Sequence, residues 1–460
     1  MIETIPLDTA SLGDRSYVAH DGAVAVVVDP QRDIDRVLGI TEPRGLRITH
    51  VFETHIHNDY VTGGFRLAEQ VGAQYCVNAD DPVAYERVQV RDGDVIETGE
   101  MRVRVIHTPG HTFTHLSFAI TDLDGRPAGV FTGGSLLYGS SGRPDLLGFD
   151  LADRLARHQW NSAARLAREL PEETAVFPTH GFGSFCSATQ AEGLSSTIGN
   201  EKATNPVLTQ SEDDYVDELI AGLVAYPAYY AHMGPANAAG PSDIDLTPPA
   251  QADPDELRRR IEAGEWVVDL RTRTAFAAGH LPQSYNFGLD NSFVTYLGWL
   301  IPWGTPVTLL GESSDDVAEA QREMVRIGID RPAAMATGTP ADWAGGESLA
   351  SYPVVSYADL ASARAKDENP YVIDLRRDDE RRDGYIVGTA HLPLHELLGR
   401  IDEVPADREV WLHCAAGFRA SIAASILQAA GRDVVLVNGD FYPNAVTAGL
   451  EMDAKEPAHA

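Results

Sequence analysis

Cysteine, lysine and long apolar runs are all scarce in this chain of 460 residues. The three cysteines, Cys76, Cys186 and Cys414, are an odd and sparse set. They exclude a disulfide framework and fit free thiols in a reducing compartment, so a cytoplasmic location is expected. The only lysines are Lys202, Lys366 and Lys455, and 36 basic residues face 68 acidic ones for a formal charge of -32. That balance argues against nucleic acid or an anionic membrane surface as a partner. No run reaches the roughly 18 apolar residues a membrane span needs. The start, Met1-Ile2-Glu3-Thr4-Ile5-Pro6, has no basic stretch leading into an apolar one, so no signal peptide is expected. What is present is an ordinary hydrophobic content of 43%, enough for two to four domains in a chain of this length.

The first chemical stretch is Glu53-Thr54-His55-Ile56-His57-Asn58-Asp59-Tyr60-Val61-Thr62-Gly63-Gly64. Two histidines one residue apart point the same way on an extended segment, and imidazole suits zinc and iron. Thr49 to Phe52 reads as the end of a strand and Gly64 to Gly72 as a helix, which puts the histidines in the turn between them. Tyr17 to Ala19 and Ala23 to Pro30 read as earlier strands. Further along come Thr108-Pro109-Gly110-His111, Thr132-Gly133-Gly134-Ser135 and Phe177-Pro178-Thr179-His180. The Pro-Gly turn can hold His111 at a strand end.

These residues resemble the metallo-β-lactamase superfamily, whose signature is His-x-His-x-Asp-His. The resemblance implies a sandwich of two sheets flanked by helices. It also implies metal ligands His55, His57 and His111, with Asp59 and His180 left from a second site. Two family ligands are replaced, by Tyr60 and Gly134. A phenol with a pKa near about 10 is a poor ligand at neutral pH. A single metal ion is therefore expected, not a binuclear site, and burial of Tyr60 against His57 would mark a closed, empty site. Within the superfamily the likeness is to persulfide dioxygenases and the related glyoxalase II enzymes. Glu53 to His57, Val61 to Gly64, Gly142-Arg143-Pro144-Asp145 and Ser196 to Glu201 carry it. The family's iron set then implies His55, His111 and an aspartate that is missing at Gly134. Asp145 lies nearby in sequence but is not the expected replacement. Cys76 and Cys186 read as buried core residues.

Residues 225 to 250, rich in Pro, Gly and Ala, read as a linker or surface loop. A repeat follows. Val267-Val268-Asp269-Leu270-Arg271 leads to Gly279, and Val372-Ile373-Asp374-Leu375-Arg376 leads to Gly384, with the same step from aspartate to glycine. Each copy alternates helices with short apolar strands, the pattern of an α/β fold with a mostly parallel sheet. In the second copy, Val410-Trp411-Leu412-His413 runs into Cys414-Ala415-Ala416-Gly417-Phe418-Arg419 and then a helix-forming stretch. Cys-x-x-Gly-x-Arg between a strand and a helix resembles the rhodanese active loop. A helix N-terminus, curled backbone N–H groups and an arginine favour a thiolate and would steady a persulfide anion. In the first copy the matching loop is Gly311 to Asp316, with Gly311 opposite Cys414 and Asp316 opposite Arg419, so that copy is expected to be non-catalytic.

The expected architecture is an αββα metallo-β-lactamase sandwich over 1–240, an inactive rhodanese-like α/β domain over 250–348 and a rhodanese domain over 354–456. The expected activity is that of a sulfurtransferase with a persulfide dioxygenase-like first domain. Cys414 is its nucleophile, and Arg419 with Ala415, Ala416, Gly417 and Phe418 holds the anion. The expected cofactor is one iron, with zinc as the alternative, or none if the site is degenerate. The expected small molecules are a glutathione-like persulfide or thiol, and thiosulfate or sulfite; a homo-oligomer is compatible with the sequence. The alternatives are a glyoxalase II-type thioester hydrolase, a non-enzymatic persulfide carrier, and a cysteine phosphatase. The loop from Cys414 to Arg419 is one residue short for the last.

Overall fold

The structure is a computed structural model and describes residues 1–189, 193–290, 292–366 and 370–453. The last residues of the expected third domain, 454–456, lie outside the described residues. The chain divides into two compact units, Met1–Asp245 with Glu323–Gly328, and Leu246–Arg322 with Ile329–Ala460.

The first unit is built on two six-stranded sheets. One runs in the order Glu3–Thr9, Asp14–His20, Val24–Val28, Arg47–Phe52, Gln74–Asn78 and Val88–Val90. Its first three strands pair antiparallel and the rest join in parallel. Val24–Val28 is a run of small and β-branched side chains, and all five residues are buried. Such a strand suits the middle of a sheet covered on both faces. The other sheet runs Ser196–Thr197, Ala175–Pro178, Pro127–Gly133, Leu116–Asp122, Met101–His107 and Val95–Thr98.

Alternation along the strands sends one set of side chains between the sheets. Tyr17, Val26, Val28 and Phe52 there meet Val103, Val105, Phe118 and Phe131. The outer face of the first sheet, with Val27 and Val51, is covered by Val37 of Asp35–Thr41 and Leu67 of Gly64–Val71. The second sheet is covered on Val130 and Val176 by Ala156, Ala163 and Leu166 of the helix Ala152–Glu169. The layers are therefore helix, sheet, sheet, helix, as the sequence implies. The helix expected after the His55–His57 turn is present, and Gly72 ends it in the left-handed region at φ 69°.

The segment 225–250 departs from the expected linker. Tyr230–Ala239 is a helix despite Pro235, and Tyr230, Met233 and Asn237 are buried. Burial of these side chains outweighs the low helix propensity of its proline and glycine. Among the described residues no helix is long and apolar enough to cross a membrane.

The second unit holds two wholly parallel sheets. One is ordered Tyr285–Asn286, Trp266–Asp269, Val307–Gly311, Ala334–Thr337. The other is ordered Val354–Val355, Val434–Val437, Val410–His413, Tyr371–Asp374, Ala390–His391. The repeated Asp-x-Arg has one structural cause in both. Arg271 forks onto buried Asp269 and donates at 3.0 Å to the carbonyl of Gly279. Arg376 forks onto buried Asp374 and donates at 2.7 Å to the carbonyl of Gly384. The fixed reach of a guanidinium explains why the aspartate-to-glycine step is the same in the two copies.

Candidate functional site: a histidine cluster and a cysteine loop

The first cluster lies where the strand Arg47–Phe52 gives way to the helix Gly64–Val71. His55, His57, Asp59, His111 and His180 are all buried. Each imidazole has an acceptor behind one nitrogen. His55 Nδ1 lies 2.9 Å from Thr54 Oγ1, which itself donates to Asp29. His111 Nδ1 lies 2.8 Å from the carbonyl of Arg143. His180 Nδ1 lies 2.9 Å from Asp14 and 3.2 Å from Asp59. His57 Nε2 lies 3.2 Å from Glu53 and 3.4 Å from Asp29. Acceptors in these places put a proton on the outer nitrogen, and on His55 and His111 they leave the inner lone pair for a cation.

Several inner atoms have no hydrogen-bond partner. They include His57 Nδ1, His111 Nε2, both carboxylate oxygens of Asp59 and one of Asp14. His55 Nε2 and His180 Nε2 stand 3.4 Å apart. Two ligand nitrogens about 2.0–2.1 Å from a tetrahedral ion are separated by about that distance. Orphaned buried acceptors are costly unless a cation meets them. The donor set therefore fits a metal ion, but the trio that converges is His55, His57 and His180, and His111 groups with His180 and Cys186 and not with the His55–His57 pair. His55-His57-His180 and Asp14-Asp59-His180 each bring their ligand atoms within 4.8 Å of one another.

Two of the positions expected to hold a second ion are altered, at Tyr60 and Gly134. The Tyr60 hydroxyl lies 3.0 Å from His57 Nε2 and 3.2 Å from the carbonyl of Asp29. Its ring stacks on that of His57 at 4.3 Å. Burial and the neighbouring Asp29 hold it as a phenol, well above the ordinary tyrosine pKa. Position 134 offers no carboxylate, and a Cβ placed there would stand 2.4 Å from the His111 ring. Asp145 is occupied in a buried fork with Arg143 at 2.7 and 2.8 Å. Tyr60 is buried against His57, the arrangement expected of a closed, empty site, whereas the unpartnered His111 Nε2 and Asp59 oxygens favour a cation.

The electrostatics follow from the same neighbours. Burial lowers His55 well below the usual imidazole value and takes His111 down to about 3, so both are neutral. Burial also opposes charge on His57 and His180, but Asp29 and Glu53 outweigh it for the first and Asp59 and Asp14 for the second. His57 is raised well above its usual value and His180 to about 9. Burial, with Asp59 beside it, pushes Asp14 up to about 8.

Sequence reasoning missed Asp14, Asp29 and Glu53 as supports of the cluster. It also missed Asn237, whose amide donates at 2.9 and 2.8 Å to the carbonyls of His57 and Tyr60. None of these lies inside the histidine motifs except Glu53. Cys186, read as core, is buried, and its sulfur lies within 4.8 Å of ligand atoms of His111 and His180. Cys76 is a core residue whose thiol burial pushes up to about 12.

The second site is the loop between the strand Val410–His413 and the helix Phe418–Ala429. Cys414 is 1% exposed, while Ala416 at the loop tip is exposed. Gly417 takes φ 96° and donates its N–H to Cys414 Sγ at 3.2 Å. The N–H groups of Ala415, Ala416 and Phe418 have no acceptor among the described residues. The carbonyl of Ala415 accepts from Phe441 N–H at 2.7 Å, and that of Cys414 from the Tyr357 hydroxyl at 3.1 Å. Arg419 is not a free cation: it forks onto Glu380 at 2.5 and 2.7 Å. Glu380 is a partner the sequence did not disclose. In the first copy the strand Val307–Gly311 runs into an ordinary capped helix, where Asp316 accepts from the N–H of Ser313 at 2.9 Å.

Comparison with known proteins agrees with the domain make-up. The metallo-beta-lactamase superfamily matches residues 15–180, and the rhodanese-like domain matches residues 253–343 and again 357–443. The hydroxyacylglutathione hydrolase of Rhizobium johnstonii is 31% identical over 202 residues, which cover 38% of this chain and 74% of that protein. The mitochondrial persulfide dioxygenase ETHE1 of Homo sapiens is 27% identical over 243 residues, 53% of this chain and 82% of that protein. Among solved structures, a metallo-beta-lactamase from Staphylococcus aureus subsp. aureus COL superposes with a TM-score of 0.65 at 28% identity. It covers 74% of this chain and 99% of its own. The chain belongs to the metallo-beta-lactamase superfamily and carries, after that domain in sequence, two rhodanese-like domains.

Proposed function

We propose that the chain is an enzyme of sulfur metabolism, a persulfide dioxygenase-like protein and sulfurtransferase that carries sulfane sulfur on Cys414. The reading includes the division at 1–240, 250–348 and 354–456, a reducing cytoplasmic setting and a small thiol or its persulfide as substrate. One observation carries it: a cysteine sulfur accepting the Gly417 N–H, in a loop whose Ala415, Ala416 and Phe418 N–H groups have no acceptor among the described residues, at the start of the helix Phe418–Ala429. Such a loop stabilises a sulfur anion before and after transfer.

In the transfer, the Cys414 thiolate attacks the outer sulfur of thiosulfate. A sulfur–sulfur bond forms to Cys414 and the bond to the sulfonate sulfur breaks. The electron pair leaves with sulfite, and Cys414 becomes a persulfide. A small thiolate then takes the terminal sulfur and regenerates the Cys414 thiolate, with no net oxidation. The loop amides steady the anion through both steps, while Arg419 stays paired with Glu380 beside them.

In the first domain His55, His57 and His180 would hold the metal, with Asp59 and His111 beside it. Iron there would supply oxygen chemistry toward a persulfide, and zinc would supply a Lewis acid. Asp29, Glu53 and Thr54 fix the imidazoles from behind. Likeness to the human persulfide dioxygenase supports the oxygen reading. The Rhizobium hydrolase supports a thioester reading, against which stand Tyr60 and Gly134.

The test is thiosulfate-to-thiol sulfur transfer by the full chain. Sulfite release that disappears in Cys414→Ser supports the reading. Equal release by the variant would refute it. Metal analysis of the same protein should give about one ion per chain, fewer in His55→Ala/His111→Ala.

A further inference from the structure

The cation expected at the cysteine loop is already spent. Arg419 forks onto Glu380. Arg377, on the same side, forks onto Asp379 at 3.0 and 2.8 Å and stands 3.8 Å from Glu380. The two arginines and two acids sum to no net charge. An anionic sulfur donor gains little from a neutralised pair.

Another arginine reaches the loop from the cysteine-less copy. Arg273 opens the helix Arg273–Ala278, and its Nε donates at 2.7 Å to the Asn438 side chain, a neutral amide. Both press on Gly417. A Cβ at Gly417 would stand 2.4 Å from Asn438 Oδ1 and 3.0 Å from Arg273 Nε. The same Gly417 donates to Cys414 Sγ. The terminal nitrogens of Arg273 make no hydrogen bond or ion pair among the described residues. Asp290 is the acid that feels its charge; burial raises that carboxyl above the usual range and Arg273 only partly offsets the rise. Tyr296 of the same copy lies against Phe418 at 5.8 Å, so this copy walls the loop as well.

The two copies have exchanged charge around one site. Counting from Asp269 and Asp374, Arg273 matches Asp378 of the second copy. The cysteine-less copy has an acid, Asp316, opposite Arg419, yet it carries a base where the active copy has an acid. A base in that place is of no use to its own helix cap.

We propose that Arg273 of the cysteine-less copy is the uncommitted cation that receives the anionic end of the sulfur donor at the Cys414 loop. The ligand class is a sulfonate-like oxyanion such as thiosulfate, with sulfite as the departing product. Four N–H donors in a planar fork suit two oxygens of such an anion. This rests on the reading of Cys414 as a sulfur carrier.

The experiment is steady-state sulfur transfer by the full chain with two donors, thiosulfate and the uncharged dimethyl trisulfide. Arg273→Gln should raise KM for thiosulfate about tenfold and change kcat little, as loss of a charge-assisted contact in the bound state requires. Its kinetics with dimethyl trisulfide should stay those of the native protein. Arg273→Lys should recover part of the thiosulfate KM. An unchanged thiosulfate KM in Arg273→Gln, with dimethyl trisulfide still turned over, overturns the proposal alone. Equal loss with both donors also overturns it, as damage to the loop. Absence of transfer from either donor in the native chain refutes the Cys414 reading instead.

Discussion

At the scale of single residues, two glycines and a tyrosine say most about what each site can do. Gly417 takes φ 96° and has Asn438 and Arg273 against it. Gly417→Ala should therefore cost about 1–2 kcal/mol from the left-handed backbone alone. It should also slow sulfur uptake by Cys414, because the N–H that faces the sulfur must move. Denaturant unfolding and trapping of the Cys414 persulfide check the two parts separately. At Gly134 the absent carboxylate was legible in the sequence, and so was Tyr60. That the His111 ring occupies the place of that carboxylate was not, because nothing in a motif reports how a neighbouring ring settles. The same holds for Glu380. Its pairing with Arg419 joins positions 39 apart and has no periodic pattern. Asn237 joins positions 180 and 177 apart to the histidine turn. Asn237→Ala would leave two buried carbonyls without a donor, which costs about 1–3 kcal/mol. Metal content per chain should fall with it; full metal content in a folded variant would show that the turn does not depend on Asn237.

At the scale of elements, the short strands and caps were largely legible, and the reasons are local. Val24–Val28 and Val410–His413 are apolar runs bounded by turns, and Gly72 stops its helix as expected. Tyr230–Ala239 was not, because its helix is held by burial and not by propensity. The Asp-x-Arg element of each repeat was visible as a repeat, though its bonding was not. Asp374→Ala leaves Arg376 and Arg381 near a vacated carboxylate site. Loss of one partner of a buried pair should cost about 3–5 kcal/mol, and Asp269→Ala should behave alike through Arg271. Urea midpoints for the two variants check this.

The Glu380–Arg419 pair gives a pH dependence of definite sign. Burial raises the Glu380 carboxyl, but the Arg419 hydrogen bond and charge outweigh that and hold it below its usual 4.5. Its stabilising contribution is therefore present above pH 4.5 and is lost as pH falls through the lower folded value. The stability gap between native protein and Glu380→Gln should be widest above that pH and close in acid. A gap that widens in acid would contradict the pairing.

At the scale of the whole molecule, scarcity of cysteine is the most informative feature of the sequence. Cys76, Cys186 and Cys414 are all buried, but Cys414 alone sits in a strand-to-helix loop, whose tip, Ala416, is exposed. One thiol out of three is thus presented for chemistry, in the repeat that kept its loop. The central claim is that this thiol carries sulfur. The most direct measurement is intact-mass spectrometry of the full chain after brief exposure to thiosulfate, with peptide mapping of the site. The account predicts a gain of one sulfur atom, confined to the peptide containing Cys414, removed by a small thiol and absent from Cys414→Ser. No gain, or a gain on Cys186 with Cys414 unmodified, would contradict it.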